Sequence, residues 1–155
     1  MGYDLEISEI DLRLIRLLQE DPRSFTKIAG KLDVAVGTVY NHVKMLEDKG
    51  ILNGYTVKVD FDRLGYSFIA IGLIQVDGHY HPKVVKELTQ LSDVMAIYDI
   101  TGEYDILIIA RFRSKRNLNN FIKNIQKQSN VKKIVTNVAL DVIKEDFRMK
   151  VQANY

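Results

Sequence analysis

The sequence of 155 residues contains no cysteine, which excludes disulfides and thiolate metal sites. Long apolar runs are also missing: the longest, residues 69–74 and 106–110, fall far short of a membrane span. The first six residues, Met-Gly-Tyr-Asp-Leu-Glu, lack a basic stretch followed by an apolar core, so no signal peptide is evident and a cytoplasmic location is expected. Strong basicity is absent as well. The net charge is +2, and residues 1–65 carry 9 Lys and Arg against 11 Asp and Glu, whereas residues 66–155 carry 13 against 9. A hydrophobic content of 46% nevertheless suffices for real cores in one or two small domains.

What is present begins with helical periodicity. Ile10, Leu14, Leu17 and Leu18 recur at i, i+4, i+7 and i+8, with Ser8 and Asp11 placed for a capping box and Asp21-Pro22 as the stop. Ile28, Ala29 and Leu32 form a second apolar stripe; Val39, Val43 and Leu46 form a third, closing at Gly50. Residues 33–37 between the last two stripes are only enough for a turn. A helix that buries Val39, Val43 and Leu46 directs Gly37, Asn41, Lys44 and Asp48 the opposite way, with Thr38, Tyr40 and Met45 on its flanks. Small, hydrogen-bonding and basic groups near the start of such a helix suit a DNA major groove. Locally the charge suits it too, because Arg23, Lys27, Lys31 and Lys44 face only Asp33 between residues 23 and 45.

Residues 54–61 alternate like an extended linker strand, and residues 62–65 break the chain again. The expected division is a helix-turn-helix domain over residues 1–53, a linker strand over 54–65, and a second domain over 66–155. That second domain has a βαββαβ rhythm: strand 66–76, a helix opened by His81-Pro82 and carrying Val84, Val85, Leu88 and Leu91, strand 94–100, strand 104–112, a helix marked by Leu118, Phe121, Ile122 and Ile125, and strand 131–143. The expected class is therefore α+β, a three-helix, winged-helix-like domain joined to a ferredoxin-like sheet. Its strands are apolar on both faces, yet two helices cover only one face of four strands. A second copy, sheet against sheet, is the expected cover.

These segments resemble the Lrp/AsnC family of leucine-responsive and asparagine-responsive transcription regulators. The matching parts are residues 10–18, Asp21-Pro22-Arg23, Ile28-Ala29, Val39, Val43-Lys44, Leu46-Glu47, residues 49–52, Gly54-Tyr55, Leu64-Gly65-Tyr66, and the turn Thr101-Gly102-Glu103-Tyr104-Asp105, which the family writes Gly-x-x-Asp. The resemblance implies a helix-turn-helix domain on a ferredoxin-like sensing domain, often called RAM. It further implies homodimers formed through the sheets, assembly into octamers or larger rings, and an amino-acid effector bound between dimers near the Gly-x-x-Asp turn. Three positions depart from the family's pattern. Ala35 stands at its Ser cap, His42 at its Arg, and Asp33 at its turn Gly, and these bear on operator affinity and sequence preference.

The expected partners are thus double-stranded DNA, an amino acid or related metabolite, and further copies of the chain; no membrane, metal or resident cofactor is expected. For DNA, Thr38, Tyr40 and Asn41 are the base-contact candidates, with Gly37 on the same face. Asn bidentate to adenine is the most specific chemistry among them, while Arg23, Lys27, His42 and Lys44 are placed to position phosphates. For the effector, backbone N–H groups of the turn Thr101, Gly102, Glu103, Tyr104 and Asp105 suit a carboxylate. Glu103 or Asp105 suits an ammonium group, and Tyr104 and Thr136 are candidate walls. His79-Tyr80-His81 has no carboxylate cluster beside it and reads as a solvated loop. Lys132, Lys133 and residues 111–116 read as solvated charge, with Arg113, Lys115 and Arg116 as marginal candidates for touching DNA. No nucleophile–base arrangement or phosphate loop points to an enzyme. The alternative reading is an amino-acid-sensing oligomer whose DNA binding is weakened or lost.

Overall fold

The computed structural model describes residues 7–128, 130–148 and 151. The chain divides into two compact units, Met1–Lys58 together with Lys144–Tyr155, and Val59–Ile143.

The first unit is built on three helices. α1 spans Glu9–Glu20, and its start is fixed by a complete capping box in which Ser8 and Asp11 each accept from the other's backbone N–H. α2 spans Phe25–Leu32, with Ser24 accepting from the Lys27 N–H. α3 spans Val36–Asp48 and opens on Ala35, which provides no side-chain cap. The α2–α3 turn passes through Asp33 at φ 56°, the one described non-glycine residue in the left-handed region. Asp tolerates that conformation better than most side chains, at some cost relative to Gly. Leu14, Val39 and Leu46 are sealed in the shared core, each worth about 1.5–3 kcal/mol of burial. α3 closes through Gly50 at φ 67°, which lets Ile51 and Leu52 donate back to the Leu46 carbonyl and fold onto the same core. Val151 joins that core, and its carbonyl accepts from Arg16 Nε.

The second unit follows the expected βαββαβ order. β1 is Phe68–Val76, α4 His81–Leu88, β2 Val94–Asp99, β3 Ile106–Phe112, α5 Lys115–Gln126 and β4 Val131–Val138, with a short 3-10 turn Gly78–Tyr80 before α4. The antiparallel sheet has the order β2-β3-β1-β4. Ala70, Ile74, Ile106, Ile108, Ala110 and Phe112 face α4 and α5 and meet Val84, Leu88, Leu118, Phe121 and Ile125 in one core. Gly72 sits in that layer because Ile108 fills its side-chain space; a Cβ there would lie 2.7 Å from Ile108 Cγ1. Ile71, Leu73, Leu107, Ile109 and Val135 alternate onto the opposite face, where each is only half-buried.

Several element limits differ from the sequence expectation, each for a local reason. Residues 54–60 form no strand, since no ladder partner lies beside them among the described residues. β4 ends at Val138, not residue 143, because its neighbour β1 runs out: Ala139 N–H to the Ile69 carbonyl is the last rung. α4 ends at Leu88, where the Thr89 hydroxyl turns back onto the Lys86 carbonyl and leaves Leu91 outside the helix. β1 begins at Phe68 and β3 at Ile106, two residues later than the hydrophobic pattern suggests.

Candidate DNA and effector sites

Val36, Gly37, Tyr40, Asn41 and Lys44 share the exposed face of α3, at i, i+1, i+4, i+5 and i+8. Tyr40 is 59% exposed and Val36 44%, a large apolar investment for a helix start with no cover within its unit. Val36 was not legible as part of this face from the apolar stripe alone; its spacing from Tyr40 is the signal that finds it. A Cβ on Gly37 would meet nothing, so packing inside the unit does not require glycine there. Thr38 is half-buried at the edge of the face.

His42 lies elsewhere. Its Nδ1 is 2.6 Å from Asp11 Oδ1, so it ties the recognition-helix candidate α3 to α1. Asp11 is buried and also accepts from the Ser8 N–H at 2.9 Å and from the Ser8 hydroxyl. Burial alone pushes the Asp11 carboxyl up, but the bonds from Ser8 and His42 outweigh it and hold the group below its usual value. Arg23 is exposed, yet its guanidinium forks onto Asp21 at 2.8 and 3.2 Å, and that pairing lowers Asp21 to about 2. Lys27 and Lys44 are exposed and unbridged among the described residues, whereas Lys31 lies 3.6 Å from Glu20.

The turn at residues 101–105 is knitted to the end of β1. Asp105 donates its N–H to the Ile74 carbonyl at 3.0 Å and accepts the Ile100 N–H at 2.9 Å. Its Oδ2 takes the Val76 N–H at 2.8 Å, so this carboxylate is already engaged in holding the turn. Gly102 adopts φ 118°, a conformation open to glycine alone without strain. The Glu103 carbonyl accepts from Gln75 Nε2, and its carboxylate meets Lys133 Nζ at 3.0 Å. Lys133 also lies 5.2 Å from the Tyr104 ring centroid; the Tyr104 hydroxyl and Glu103 together raise the lysine above its usual value. Sequence reasoning placed Lys133 in solvent. Its register opposite Gln75 is what brings it to the turn. Thr101, Gly102 and Glu103 are exposed, and Tyr104 and Asp105 half-buried. Thr136 is not brought to the turn. It pairs with Gly72 on the helix-covered face, and its hydroxyl is buried with no hydrogen-bond partner among the described residues.

Around His79 and His81 the described residues hold no cluster of three metal-ligating side chains; His81 Nε2 instead lies 3.1 Å from Asp99. No helix among the described residues is long and apolar enough to cross a membrane.

A helix pair exposing a polar and aromatic face, followed by a βαββαβ sheet unit, has the architecture of a helix-turn-helix domain joined to a ferredoxin-like domain. Residues 7–53 match the winged helix-turn-helix DNA-binding model, and residues 69–149 match the Lrp/AsnC ligand binding domain. An uncharacterized HTH-type transcriptional regulator from Pyrococcus furiosus is 44% identical, over 94% of this chain and 99% of its own. The HTH-type transcriptional regulator FL11 from Pyrococcus abyssi is 30% identical over 96% and 99%. Among solved structures, AsnC from E. coli superimposes with a TM-score of 0.86 at 24% identity, covering 94% of this chain and 99% of that one. A transcriptional regulator from Neisseria meningitidis in complex with L-Met gives 0.87 at 18% identity, covering 92% and 96%. The chain belongs to the Lrp/AsnC family of transcription regulators.

Proposed function

We propose that the chain is a sequence-specific DNA-binding regulator whose DNA affinity or assembly is set by an amino acid or related metabolite. The observation that carries the DNA half is the exposed face of Val36, Gly37, Tyr40, Asn41 and Lys44, which no residue of its own unit needs. In this reading Asn41 pairs bidentately with a base, Thr38 and Tyr40 contact base edges, and Val36 offers a methyl contact. Lys44 and Lys27 hold phosphates; Arg23 does so after giving up part of its pairing with Asp21. His42 serves chiefly to set the angle of α3, through Asp11. Dimers formed by the uncovered sheet face of Ile71, Leu73, Leu107, Ile109 and Val135 would present two such helices to successive major grooves, and higher assembly would follow from dimer contacts. The bound L-Met of the Neisseria neighbour supports an amino acid as the class of effector. In this reading the exposed N–H groups of Thr101, Gly102 and Glu103 take its carboxylate. Glu103, released from Lys133, takes its ammonium, and Asp105 shapes the turn.

Gel-shift and fluorescence-anisotropy titrations test the reading. Asn41→Ala lowers the preference for operator over random duplex by about fivefold or more, about 1–3 kcal/mol, whereas Lys44→Ala weakens both alike. An unchanged ratio in Asn41→Ala refutes the assignment of the reading face. A thermal-shift screen against the twenty amino acids, repeated with Glu103→Gln, tests the effector half; no shift with any of them counts against it.

A further inference from the structure

We propose that the outer face of α5 is a second DNA-binding surface, taking the phosphate backbone of a duplex without regard to sequence. The proposal rests on the DNA-binding reading above and adds a separate surface to it. Residues 106–140 contain eight basic residues (Arg111, Arg113, Lys115, Arg116, Lys123, Lys127, Lys132 and Lys133) and no Asp or Glu. A run of 35 residues with that imbalance stands in a chain whose whole net charge is only +2.

The structure sorts these eight. Arg111 is buried and donates to the Tyr66 carbonyl, Lys132 lies 3.7 Å from Asp77, and Lys133 meets Glu103. The other five are exposed, and none is bridged to a carboxylate among the described residues. Arg113 lies at the helix entrance with its guanidinium 4.5 Å from the Tyr66 ring centroid. Leu118, Phe121 and Ile125 turn inward, which at 100° per residue puts Arg116, Lys123 and Lys127 in one row on the opposite side. Asn119 and Asn120 are exposed beside that row and add neutral hydrogen-bonding groups that suit phosphate and sugar oxygens.

From Arg116 to Lys127 the row is about 16 Å long at 1.5 Å per residue. Along a duplex that length carries about five phosphates on one strand, at one charge per about 3.4 Å. The sign and the length therefore suit a nucleic-acid backbone, with three positive charges spread over the span of about five phosphates. Unlike Asn41 beside Val36 and Tyr40, the row has no exposed apolar neighbour on α5, so its contribution is affinity without sequence preference. It also supplies the positive charge that residues 1–65 lack.

The test is the salt dependence of DNA binding by the full chain carrying R116Q, K123Q and K127Q together. With three phosphates no longer neutralised, the slope of log K against log salt becomes shallower by about 2.7, at about 0.9 per phosphate. Affinity near 0.1 M salt falls at least tenfold, while the operator-to-random ratio stays at the wild-type value. The control variant K83Q/K86Q on α4 removes two exposed charges and leaves the slope unchanged. An unchanged slope in the α5 variant, with Lys44→Ala still weakening binding, overturns the α5 surface alone. Absence of DNA binding in the wild-type chain at low salt overturns both this surface and the reading on which it rests. A changed operator-to-random ratio in the α5 variant overturns its sequence-independent character.

Discussion

The Asp11–His42 contact sets how firmly α3 is held, and its strength can be measured. Asp11→Ala strips three bonds from one buried acceptor: the Ser8 N–H, the Ser8 hydroxyl and His42 Nδ1. Hydrogen bonds to a charged group contribute about 1.5–3 kcal/mol each, but Ser8 lies at a helix end where water replaces part of the loss. A net cost of about 2–4 kcal/mol is expected for Asp11→Ala, and about 1–2 for His42→Ala. Because the two side chains touch, the double variant should cost less than the sum, with a coupling of about 1–3 kcal/mol. Urea unfolding of the full chain followed by circular dichroism gives all four values. The pH dependence supplies an independent check. The folded Asp11 carboxyl titrates below its unfolded value, so its contribution is complete above about pH 5 and is lost as pH falls below about 4. The gap between wild type and Asp11→Ala should therefore be full at neutral pH and shrink toward pH 3. Additive single variants, or a gap as large at pH 3 as at pH 7, would show that the contact does not clamp the helix.

Three further outcomes follow from particular contacts. Ala35→Ser supplies the missing cap of α3, whose N-cap backbone is already extended, and should add about 1 kcal/mol by chemical denaturation. Gly72→Ala drives a methyl group into Ile108 and should cost about 1–3 kcal/mol, read as a lower unfolding midpoint. Asp105→Ala leaves the Val76 N–H without its acceptor and should cost about 1–2 kcal/mol, a fall of several degrees in Tm.

Most of the architecture was legible because two periodicities dominate this sequence. Leu14 and Leu18, or Val39, Val43 and Leu46, cannot be buried together except on helices. The doubly apolar β1 and β3 announce a sheet with both faces in demand. Side-chain partnerships were less legible. His42 and Asp11 are 31 residues apart, and only the crossing of α1 and α3 makes one the other's partner. Lys133 and Glu103 meet through the β1–β4 register, which hydrophobic pattern alone does not set to the residue. Strand ends were overestimated for a related reason: residues 139–143 keep the composition of a strand, but a strand lasts only as long as its neighbour.

Val151 has a consequence for the order in which the molecule is made. The helical unit draws on chain from both sides of the sheet unit, so its three helices are made before the sheet unit and Val151, which packs against their core, after it. The patch of the three-helix core that Val151 packs against therefore stays uncovered until the sheet unit has been made. A graft that moved only residues 1–58 onto another sensor would leave that patch uncovered unless the new partner returned an apolar side chain to it.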